Sequence, residues 1–466
     1  MAKTTRANSF RCTECGWSSV KWVGRCGECQ AWGTVAEAGG ATTRTAAVLS
    51  PGRRPVPIGE VDPTKAAATP TGVEEFDRVL GGGLVAGGVV LVAGEPGIGK
   101  STLLLDVAAR AARGGRDVLY VSGEESAAQV RSRAERIEAM AKTLYLASET
   151  DLGTVLGQIE QVRPALVVID SVQTLASAEV EGAAGNVSQV REVAAALIAV
   201  AKTMGISMIL VGHVTKEGSI AGPRILEHLV DVVVGFEGER HSRLRLVRAV
   251  KNRFGPTDEV GCFDLSDVGI IGLPDPSGLF LSTRAGSVPG TCVTATLEGR
   301  RPLLAEVQAL VTPSSIPTPR RATHGVDGSR IAMITAVLEK RAGAPLTGRD
   351  IYLSTVGGVR LREPAADLAM AFAMASAILE VPIDPHLVAI GEVGLAGEIR
   401  PVQGVERRLT EAARLRFSTA LVPPGVRGSA ALPSGIRVIE VPDIQAAVGH
   451  LQRVAEQPRA ELRPVR

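Results

Sequence analysis

A glycine-rich octad between two apolar runs is the feature that most constrains how this chain can fold. Residues 94–101 read Gly-Glu-Pro-Gly-Ile-Gly-Lys-Ser and fit the pattern G-x-x-x-x-G-K-[ST] at every fixed position. The apolar residues 89–93 predict a buried strand, and residues 102–109 predict a helix that ends at Gly114 and Gly115. A strand, a glycine loop and a helix in this order predict a P-loop, in which backbone N–H groups converge on an anion at a helix N-terminus.

The predicted ligand of this loop is a nucleoside triphosphate, ATP. Lys100 is expected to reach the β- and γ-phosphates, and the Ser101 hydroxyl is expected to hold Mg²⁺. A glycine-rich turn without a ligand is the alternative, and the matching strand and helix argue against it. The residues predicted to bind the nucleotide are Gly94, Glu95, Pro96, Gly97, Ile98, Gly99, Lys100, Ser101 and Thr102.

The overall composition is that of an ordinary globular protein. The chain has 466 residues, of which 45% are hydrophobic and 21% charged, and this length allows two or three domains. Its formal net charge of +2 gives no global basic field that demands nucleic acid. The N-terminus lacks the apolar stretch of a signal peptide, and no apolar run approaches the roughly 20 residues of a membrane span. We therefore expect a cytoplasmic protein with no membrane partner.

Apolar strand-like runs alternate with helical patterns from about residue 59 onward. This alternation predicts an α/β fold with a parallel sheet covered by helices. The chain is predicted to consist of a cysteine-rich module at 1–36, a linker at 37–58, an ATPase domain at 59–284, a second α/β domain at 285–456 and a polar tail at 457–466.

Two cysteine pairs in the first module have the spacing of metal knuckles. Cys12 and Cys15 form one pair, Cys26 and Cys29 form the other, and each pair precedes or includes a glycine turn. This spacing predicts a structural Zn²⁺ held by four thiolates, which would stabilise a module too short for an adequate apolar core. Two disulfides and a redox pair are the alternatives. A reducing compartment disfavours the first, and the lack of a surrounding βαβ pattern disfavours the second.

Acidic residues close two of the predicted strands. Asp170 ends the apolar run 166–169, so at the carboxyl edge of a parallel sheet it would stand beside the P-loop and hold Mg²⁺ through water. Glu124 and Glu125 follow the run ending at Ser122, and one of them could polarise the water that attacks the γ-phosphate. We favour Glu124 as catalytic. The alternative is a pair of acids that stabilises a helix start.

Two further segments carry candidate functional groups. His213 and Thr215 follow another strand and could sense the γ-phosphate, while Lys216 and Arg224 lie in a glycine-containing loop that could clamp a phosphate backbone or simply be solvated. A second segment, Lys-Asn-Arg-Phe-Gly at 251–255, carries Lys251 and Arg253. These cations could act in trans on the ATP of a neighbouring subunit, or they could mark only a hairpin tip.

Taken together and in this order, five motifs resemble the RadA (Sms) family of bacterial proteins. They are the two knuckles, Leu-Gly-Gly-Gly-Leu at 80–84, the P-loop, Val-Thr-Lys-Glu-Gly at 214–218 and the pentad at 251–255. The resemblance implies a RecA-like core shared with replicative DnaB helicases and a hexameric ring. It implies DNA-dependent ATP hydrolysis that drives motion on single-stranded DNA during recombinational repair, with branched DNA and the recombinase RecA as partners. It also implies that Lys251 and Arg253 serve ATPase coupling and DNA work.

The C-terminal region is similar to the proteolytic domain of Lon, but the residues of the catalytic dyad differ. Where the Lon family has its nucleophilic serine this chain has Ala365, and where it has the lysine base this chain has Glu406. Neither residue can perform the chemistry of a Ser–Lys dyad, so peptidase activity is not expected. A scaffold is the expected role. A basic surface is the other candidate role, and its candidates are the arginines Arg400, Arg407, Arg408, Arg414 and Arg416. The equal alternative for these arginines is an ordinary solvated face.

The sequence is therefore compatible with three classes of function. The first is a DNA-dependent motor ATPase, which the cysteine module, the P-loop and the pentad favour together. The second is an ATP-dependent protease, which the missing dyad disfavours. The third is a non-motor ATP-binding regulator of the circadian-clock type, which would share the core but would not need the cysteine module or the Lon-like domain.

Overall fold

The computed structural model describes residues 10–15, 17–37, 56–213, 225–238, 243–266, 268–282, 287–429 and 432–456. The chain divides into two compact units, residues 1–63 and 64–466. Most of the predicted linker and all of the predicted tail lie outside the described residues. Within the described ranges, no helix is both long enough and apolar enough to cross a bilayer.

The first unit contains a small antiparallel sheet. Its strands are β1 (Phe10–Cys12), β2 (Ser18–Ser19) and β3 (Val35–Glu37), in the order β2-β1-β3. The core of this sheet is minimal, because Cys12, Cys26 and Val35 are its buried apolar residues and Phe10, Trp17 and Val23 are only partly buried. So little apolar burial cannot fold a module of this size alone, which agrees with a need for bound metal.

The first half of the second unit is an α/β domain. In chain order it consists of β4 (Ala68–Thr69), α1 (Glu74–Leu80), β5 (Leu84–Val85), β6 (Val89–Gly94), α2 (Lys100–Arg113), β7 (Val118–Ser122), α3 (Ala127–Arg136), β8 (Leu144–Ser148), α4 (Leu152–Val162), β9 (Leu166–Asp170), α5 (Val187–Met204), β10 (Ser207–His213), α6 (Ile225–Leu229), β11 (Val232–Glu237), β12 (Leu244–Asn252), β13 (Val260–Ser266) and β14 (Gly269–Gly272).

Nine of these strands form one sheet in the order β14-β13-β12-β11-β6-β10-β9-β7-β8. The six strands from β11 to β8 are parallel, and β12, β13 and β14 add an antiparallel edge. Helices cover both faces: Val90 and Val92 of β6 pack with the buried side of α2, and Leu91 packs with that of α5. Because β6, β7, β9 and β10 are parallel, the segments that follow them meet at one edge of the sheet.

The second half of this unit carries another α/β domain. In chain order it consists of β15 (Thr291–Glu298), β16 (Arg301–Pro313), β17 (Arg321–His324), α7 (Gly328–Ala342), β18 (Arg349–Thr355), α8 (Asp367–Leu379), β19 (Leu387–Ala389), β20 (Glu392–Val393), β21 (Ile399–Arg400), α9 (Val405–Arg414), β22 (Thr419–Val422), α10 (Val426–Ser429), β23 (Arg437–Glu440) and α11 (Ile444–Glu456). Short 3-10 turns lie at 58–60, 63–66, 276–279, 356–358 and 364–366.

This domain is organised around a seven-stranded sheet in the order β17-β18-β16-β15-β19-β22-β23. Helices α7, α8 and α11 contribute to the large apolar core on one face, and α9 packs into a smaller core on the other. Helix α8 is buried almost all round, as its alanine-rich and apolar sequence predicts. A proline-containing loop at 314–320 connects β16, which ends at Pro313, to β17, which begins at Arg321.

A buried ion pair joins the two halves of this unit. Arg301, at the start of β16, pairs with Glu75 of α1, and the side chains are 9% and 2% exposed. Arg301 Nη2 also donates to the carbonyl of Leu273 over 3.0 Å, while Glu75 Oε2 accepts from the backbone N–H of Cys262 over 2.8 Å. Removing one partner of such a pair would leave an uncompensated buried charge, so this contact opposes separation of the two halves.

Candidate nucleotide and metal sites

The four cysteines of the first unit converge on one point. The distance between the Sγ atoms of Cys12 and Cys29 is 3.7 Å, that between Cys15 and Cys26 is 3.5 Å, and all four sulfurs lie within 4.8 Å of one another. A tetrahedral Zn²⁺ with Zn–S bonds of about 2.3 Å requires sulfurs about 3.8 Å apart, so the donor set fits this ion. A disulfide needs about 2.05 Å, and all four thiols are free.

The thiols of this cluster differ in how readily they ionise. A backbone hydrogen bond from Ala31 acts to lower the pKa of Cys29, but burial and the neighbouring thiols outweigh it and raise that pKa to about 12. The hydrogen bond with Thr34 and the backbone N–H groups of the knuckle lower the pKa of Cys12 to about 6. A thiol with this pKa is largely ionised at neutral pH, and thiolates are the form that binds Zn²⁺. The predicted zinc site is therefore supported, and the disulfide and redox alternatives are not.

The glycines of the P-loop adopt backbone conformations that other residues rarely take. Gly97 and Gly99 have φ values of 77° and 114°, and Gly99 is the N-cap of α2. A Cβ added at Gly94 would lie 2.7 Å from the carbonyl oxygen of Phe236 on β11. The loop therefore needs glycine both for its turn and for its close approach to the neighbouring strand.

Lys100 is the charged group at the centre of the loop. Its side chain is 4% exposed, and Nζ donates to the carbonyls of Gly94 and Glu95 over 2.9 Å each. Burial lowers the pKa of Lys100, and the charges of Asp170 and Glu124 offset part of that shift. A phosphate entering the loop would replace this contact with the carbonyls by a stronger charge-assisted one.

Asp170 offers a carboxylate oxygen at the same edge of the sheet. Its Oδ2 accepts a hydrogen bond of 2.6 Å from the hydroxyl of Tyr120, whereas its Oδ1 is buried without a hydrogen-bond partner in the described part of the chain. An unpartnered buried carboxylate oxygen costs free energy unless a cation or water meets it. This observation fits a hard cation such as Mg²⁺ at Asp170.

Glu124 lies between two donors that orient its carboxylate. Oε1 accepts from the Ser171 hydroxyl over 2.7 Å and from His213 Nε2 over 2.8 Å. His213 Nδ1 lies 3.5 Å from Lys100 Nζ. Because an ammonium only donates and a carboxylate only accepts, we assign the His213 proton to Nε2. The result is a polar chain from Lys100 through His213 to Glu124.

The neighbouring acid, Glu125, points elsewhere. It pairs with Arg133 of α3, and its backbone N–H donates to the hydroxyl of Ser122 over 3.0 Å. Burial acts to raise the pKa of Glu124, but hydrogen bonds from His213 and Ser171 outweigh it and hold the pKa below the usual value. Glu124 is therefore ionised near neutral pH and, unlike Glu125, joined to the lysine of the loop.

Several contacts of this site were not predicted from the sequence, among them the hydrogen bond of Ser171 with Glu124. Tyr120 is a buried strand residue whose sequence position gives no sign that it bonds Asp170. Arg245 of β12 is 5% exposed, and its Nε donates to the carbonyl of Ile98 in the P-loop over 3.1 Å. An arginine among apolar residues at alternate positions was the available signal, because buried arginine always needs a partner.

The pentad at 251–255 lies away from this site in the same chain. Lys251 pairs with Val233 near the start of β11, whereas Gly94 of the P-loop pairs with Phe236 near its end. Lys251 Nζ donates to the carbonyls of Glu227 and Val230 over 2.7 Å each. The P-loop therefore lies at the carboxyl ends of the parallel strands, and the pentad lies toward their opposite ends.

A buried acid, Asp231, binds Arg253 of the pentad, and a β-bulge directly precedes the pentad. Arg253, 56% exposed, pairs with Asp231 over 3.2 Å, and Asp231 also bonds Val89 and Lys202. The register between β11 and β12 shifts at Val250, which is the extra residue. The other basic candidates, Lys216 and Arg224, and Thr215, a candidate sensor of the γ-phosphate, lie outside the described residues.

Comparison with known proteins places these sites in a family. DNA repair protein RadA of Mycolicibacterium smegmatis is 54% identical over 468 residues, which cover 98% of this chain and 99% of that protein. DNA repair protein RadA of Halalkalibacterium halodurans is 45% identical, covering 96% of this chain and 99% of that protein. This chain belongs to the RadA family of DNA repair proteins.

Models of three domain families match parts of this RadA-family chain. An AAA domain matches 55–219, a rubredoxin metal binding domain matches 10–37, and subunit ChlI of Mg-chelatase matches 351–425. The ATPase domain of G40P aligns with 45% of this chain and 92% of its own at 16% identity, with a TM-score of 0.39, a level from which no shared fold follows. The predicted fold class is confirmed as α/β, with a P-loop ATPase core built on parallel strands, a zinc ribbon and a second α/β domain that matches ChlI in part.

In this RadA-family chain, the position of the Lon dyad contains no catalytic pair. Ala365 is buried in a 3-10 turn, and Glu406 is exposed in the first turn of α9. Glu363, two residues before Ala365, accepts hydrogen bonds from both Nη groups of Arg408. The side chain of Arg408 is 1% exposed. The prediction that Arg408 contributes to a basic surface is therefore wrong, because this arginine is a buried structural cation.

Proposed function

We propose that this chain is a DNA-dependent ATPase that moves along single-stranded DNA during recombinational repair. The observation that carries the proposal is the polar chain Lys100–His213–Glu124, present in a member of the RadA family. It connects the lysine that would bind the phosphates to a carboxylate that could activate water, which hydrolysis requires and mere ATP binding does not. Motion along DNA would extend heteroduplex and migrate branches.

In this mechanism the P-loop amides and Lys100 bind the β- and γ-phosphates at the start of α2. Ser101 and Asp170 would hold Mg²⁺, which neutralises phosphate charge when bound. Glu124 accepts a proton from the attacking water, and His213 transmits the state of the phosphate between Lys100 and Glu124. Arg245 keeps the P-loop in place through the Ile98 carbonyl.

Assembly would complete the site. We propose a homo-hexameric ring in which Lys251 and Arg253 of one subunit act on the ATP of its neighbour. Both residues lie toward the ends of the strands that are remote from the P-loop of their own subunit. The proposed partners are single-stranded and branched DNA and the recombinase RecA. The proposed location is the cytoplasm, where ATP, DNA and reduced cysteines occur together.

The test is ATP hydrolysis with and without DNA. Single-stranded DNA is expected to bind the wild-type chain and to increase phosphate release, since a motor couples hydrolysis to its track. The Lys100→Ala variant, which loses a phosphate contact, is the control and should not hydrolyse ATP. If single-stranded DNA neither binds nor stimulates wild-type hydrolysis, the proposal is wrong.

Mixed rings test the action in trans. Arg253→Ala and Lys100→Ala subunits are each expected to be inactive alone. In an equal mixture, about a quarter of the interfaces would pair an intact P-loop with an intact Arg253, so hydrolysis should partly recover if Arg253 acts across the interface. Absence of recovery in rings confirmed to be mixed by native mass measurement would rule out that role.

A further inference from the structure

Two exposed indoles of the zinc ribbon lie beside the same glycine, Gly24. Trp22 is 64% and Trp32 is 76% exposed, although tryptophan is usually largely buried. A Cβ built on Gly24 would lie 3.7 Å from Trp22 Cη2 and 3.8 Å from Trp32 Cζ3, so the two ring edges approach each other across this glycine. Trp17 differs, because it packs into the small core beside Gly27.

The structure holds both rings in place. Trp22 Nε1 donates to the carbonyl of Val35 over 3.1 Å. Trp32 forms a β-bridge with Arg25, and the guanidinium lies 5.7 Å from the ring centroid of Trp32. Rings that are already fixed lose little conformational entropy when a ligand stacks on them, so this surface is prepared for binding.

Two cations accompany the rings, Arg25 by contact with Trp32 and Lys21 by its position in the sequence. Arg25 donates Nε and Nη2 to Gln30, which leaves other N–H groups of its five for a ligand, and Lys21 directly precedes Trp22. Within the described residues neither cation is paired with a carboxylate. The acidic side chains described in this module, Glu14 and Glu28, belong to the metal knuckles.

We propose that Trp22 and Trp32 stack on unpaired bases of single-stranded DNA while Arg25 and Lys21 contact its phosphates. Aromatic faces next to cations are the features that bind single strands without sequence preference. This proposal deepens the proposed function and rests on it. The zinc ribbon would then hold the strand independently of the ATPase core.

The chain contains a convenient probe for this stacking. Its three tryptophans all lie in the zinc ribbon, so the intrinsic tryptophan emission of the full-length protein reports on this module alone. Adding a thymidine oligonucleotide should quench the emission because bases stack on the indoles. A blunt duplex should quench it much less, since its bases are not free. Equal quenching by both, or none by the oligonucleotide, would refute stacking.

Variants separate stacking from charge and from folding. Replacing both Trp22 and Trp32 by alanine should weaken oligonucleotide binding about tenfold or more, whereas phenylalanine at both positions should retain most of the affinity. Arg25→Gln should instead reduce the salt dependence of binding. Zinc content of one ion per chain confirms that each variant is folded. If the double alanine variant binds like wild type, the surface serves another partner, such as a protein, and the proposal fails.

Failure of this inference can be told from failure of the motor. DNA-stimulated hydrolysis by wild type, together with unchanged emission, would retain the motor and reject the stacking surface. Loss of both responses would reject both.

Discussion

Replacing Glu124 by glutamine is expected to slow ATP hydrolysis by about 10²- to 10⁴-fold, the usual contribution of a general base. The amide has nearly the same shape and can still accept a hydrogen bond from Ser171 or His213, so the site should keep its geometry. ATP binding should change little, because the hydrogen bonds of Glu124 in the described part of the chain go to Ser171 and His213 rather than to the P-loop. Phosphate release at saturating ATP and the dissociation constant of a fluorescent ATP analogue measure the two effects separately.

Glu125→Gln is the matched control for this experiment. Glu125 is adjacent in sequence but pairs with Arg133, so its loss should leave hydrolysis within a few-fold of wild type. A large loss of hydrolysis in Glu125→Gln together with normal hydrolysis in Glu124→Gln would exchange the two assignments.

Replacing Arg408 by alanine is expected to destabilise the Lon-like domain by about 3–5 kcal/mol, the cost of breaking a buried pair from one side. Arg408 Nη1 and Nη2 bond Glu363, Nη1 also bonds the carbonyl of Ala295, and Nε bonds that of Gln403. Removing the guanidinium leaves these acceptors unpaired. Urea unfolding followed by circular dichroism measures the change.

The adjacent exposed arginine gives the control. Arg407→Ala is expected to change stability by no more than about 0.5 kcal/mol, as is usual for the surface. Equal stability of the Arg408 and Arg407 variants would contradict the structural role of the buried pair. Burial alone would raise the pKa of Glu363, but Arg408 lowers it overall, so the pair stabilises the fold above the usual carboxyl pKa and this contribution is lost as the pH falls through the lowered value.

The sequence predicted what depends on local spacing. The spacing of the two cysteine pairs predicted a shared metal site, and the glycine-rich octad between a strand and a helix predicted the P-loop. Asp170 and Glu124 could be placed near Lys100 because every parallel strand of such a sheet ends at the same edge. The roles of these residues stay predictions, but their proximity followed from the order of strands and helices.

The sequence could not predict contacts that depend on side-chain partners far along the chain. Arg408 lies in an arginine-rich helix that reads as solvated, yet Glu363, 45 residues earlier, pairs with it in the core. Arg245 reaches the P-loop across 147 residues, and Tyr120 reaches Asp170 across 50. Periodicity reports which face of an element is apolar, and it carries no information about which charge meets which.

The bulge at Val250 changes what strand β12 can contact. Arg245, Val247 and Ala249 alternate onto the face of the sheet that carries α2, and uninterrupted alternation would place Lys251 on that face as well. The extra residue reverses the alternation of side chains between the two faces. Lys251 therefore lies on the other face, where it contacts the carbonyls of Glu227 and Val230. Strand β12 thereby directs Arg245 to the P-loop on one face and Lys251 of the pentad to the other face. The face to which Lys251 points therefore depends on the number of residues in the strand. The presence of one extra residue at position 250 matters for this, and its side-chain chemistry does not.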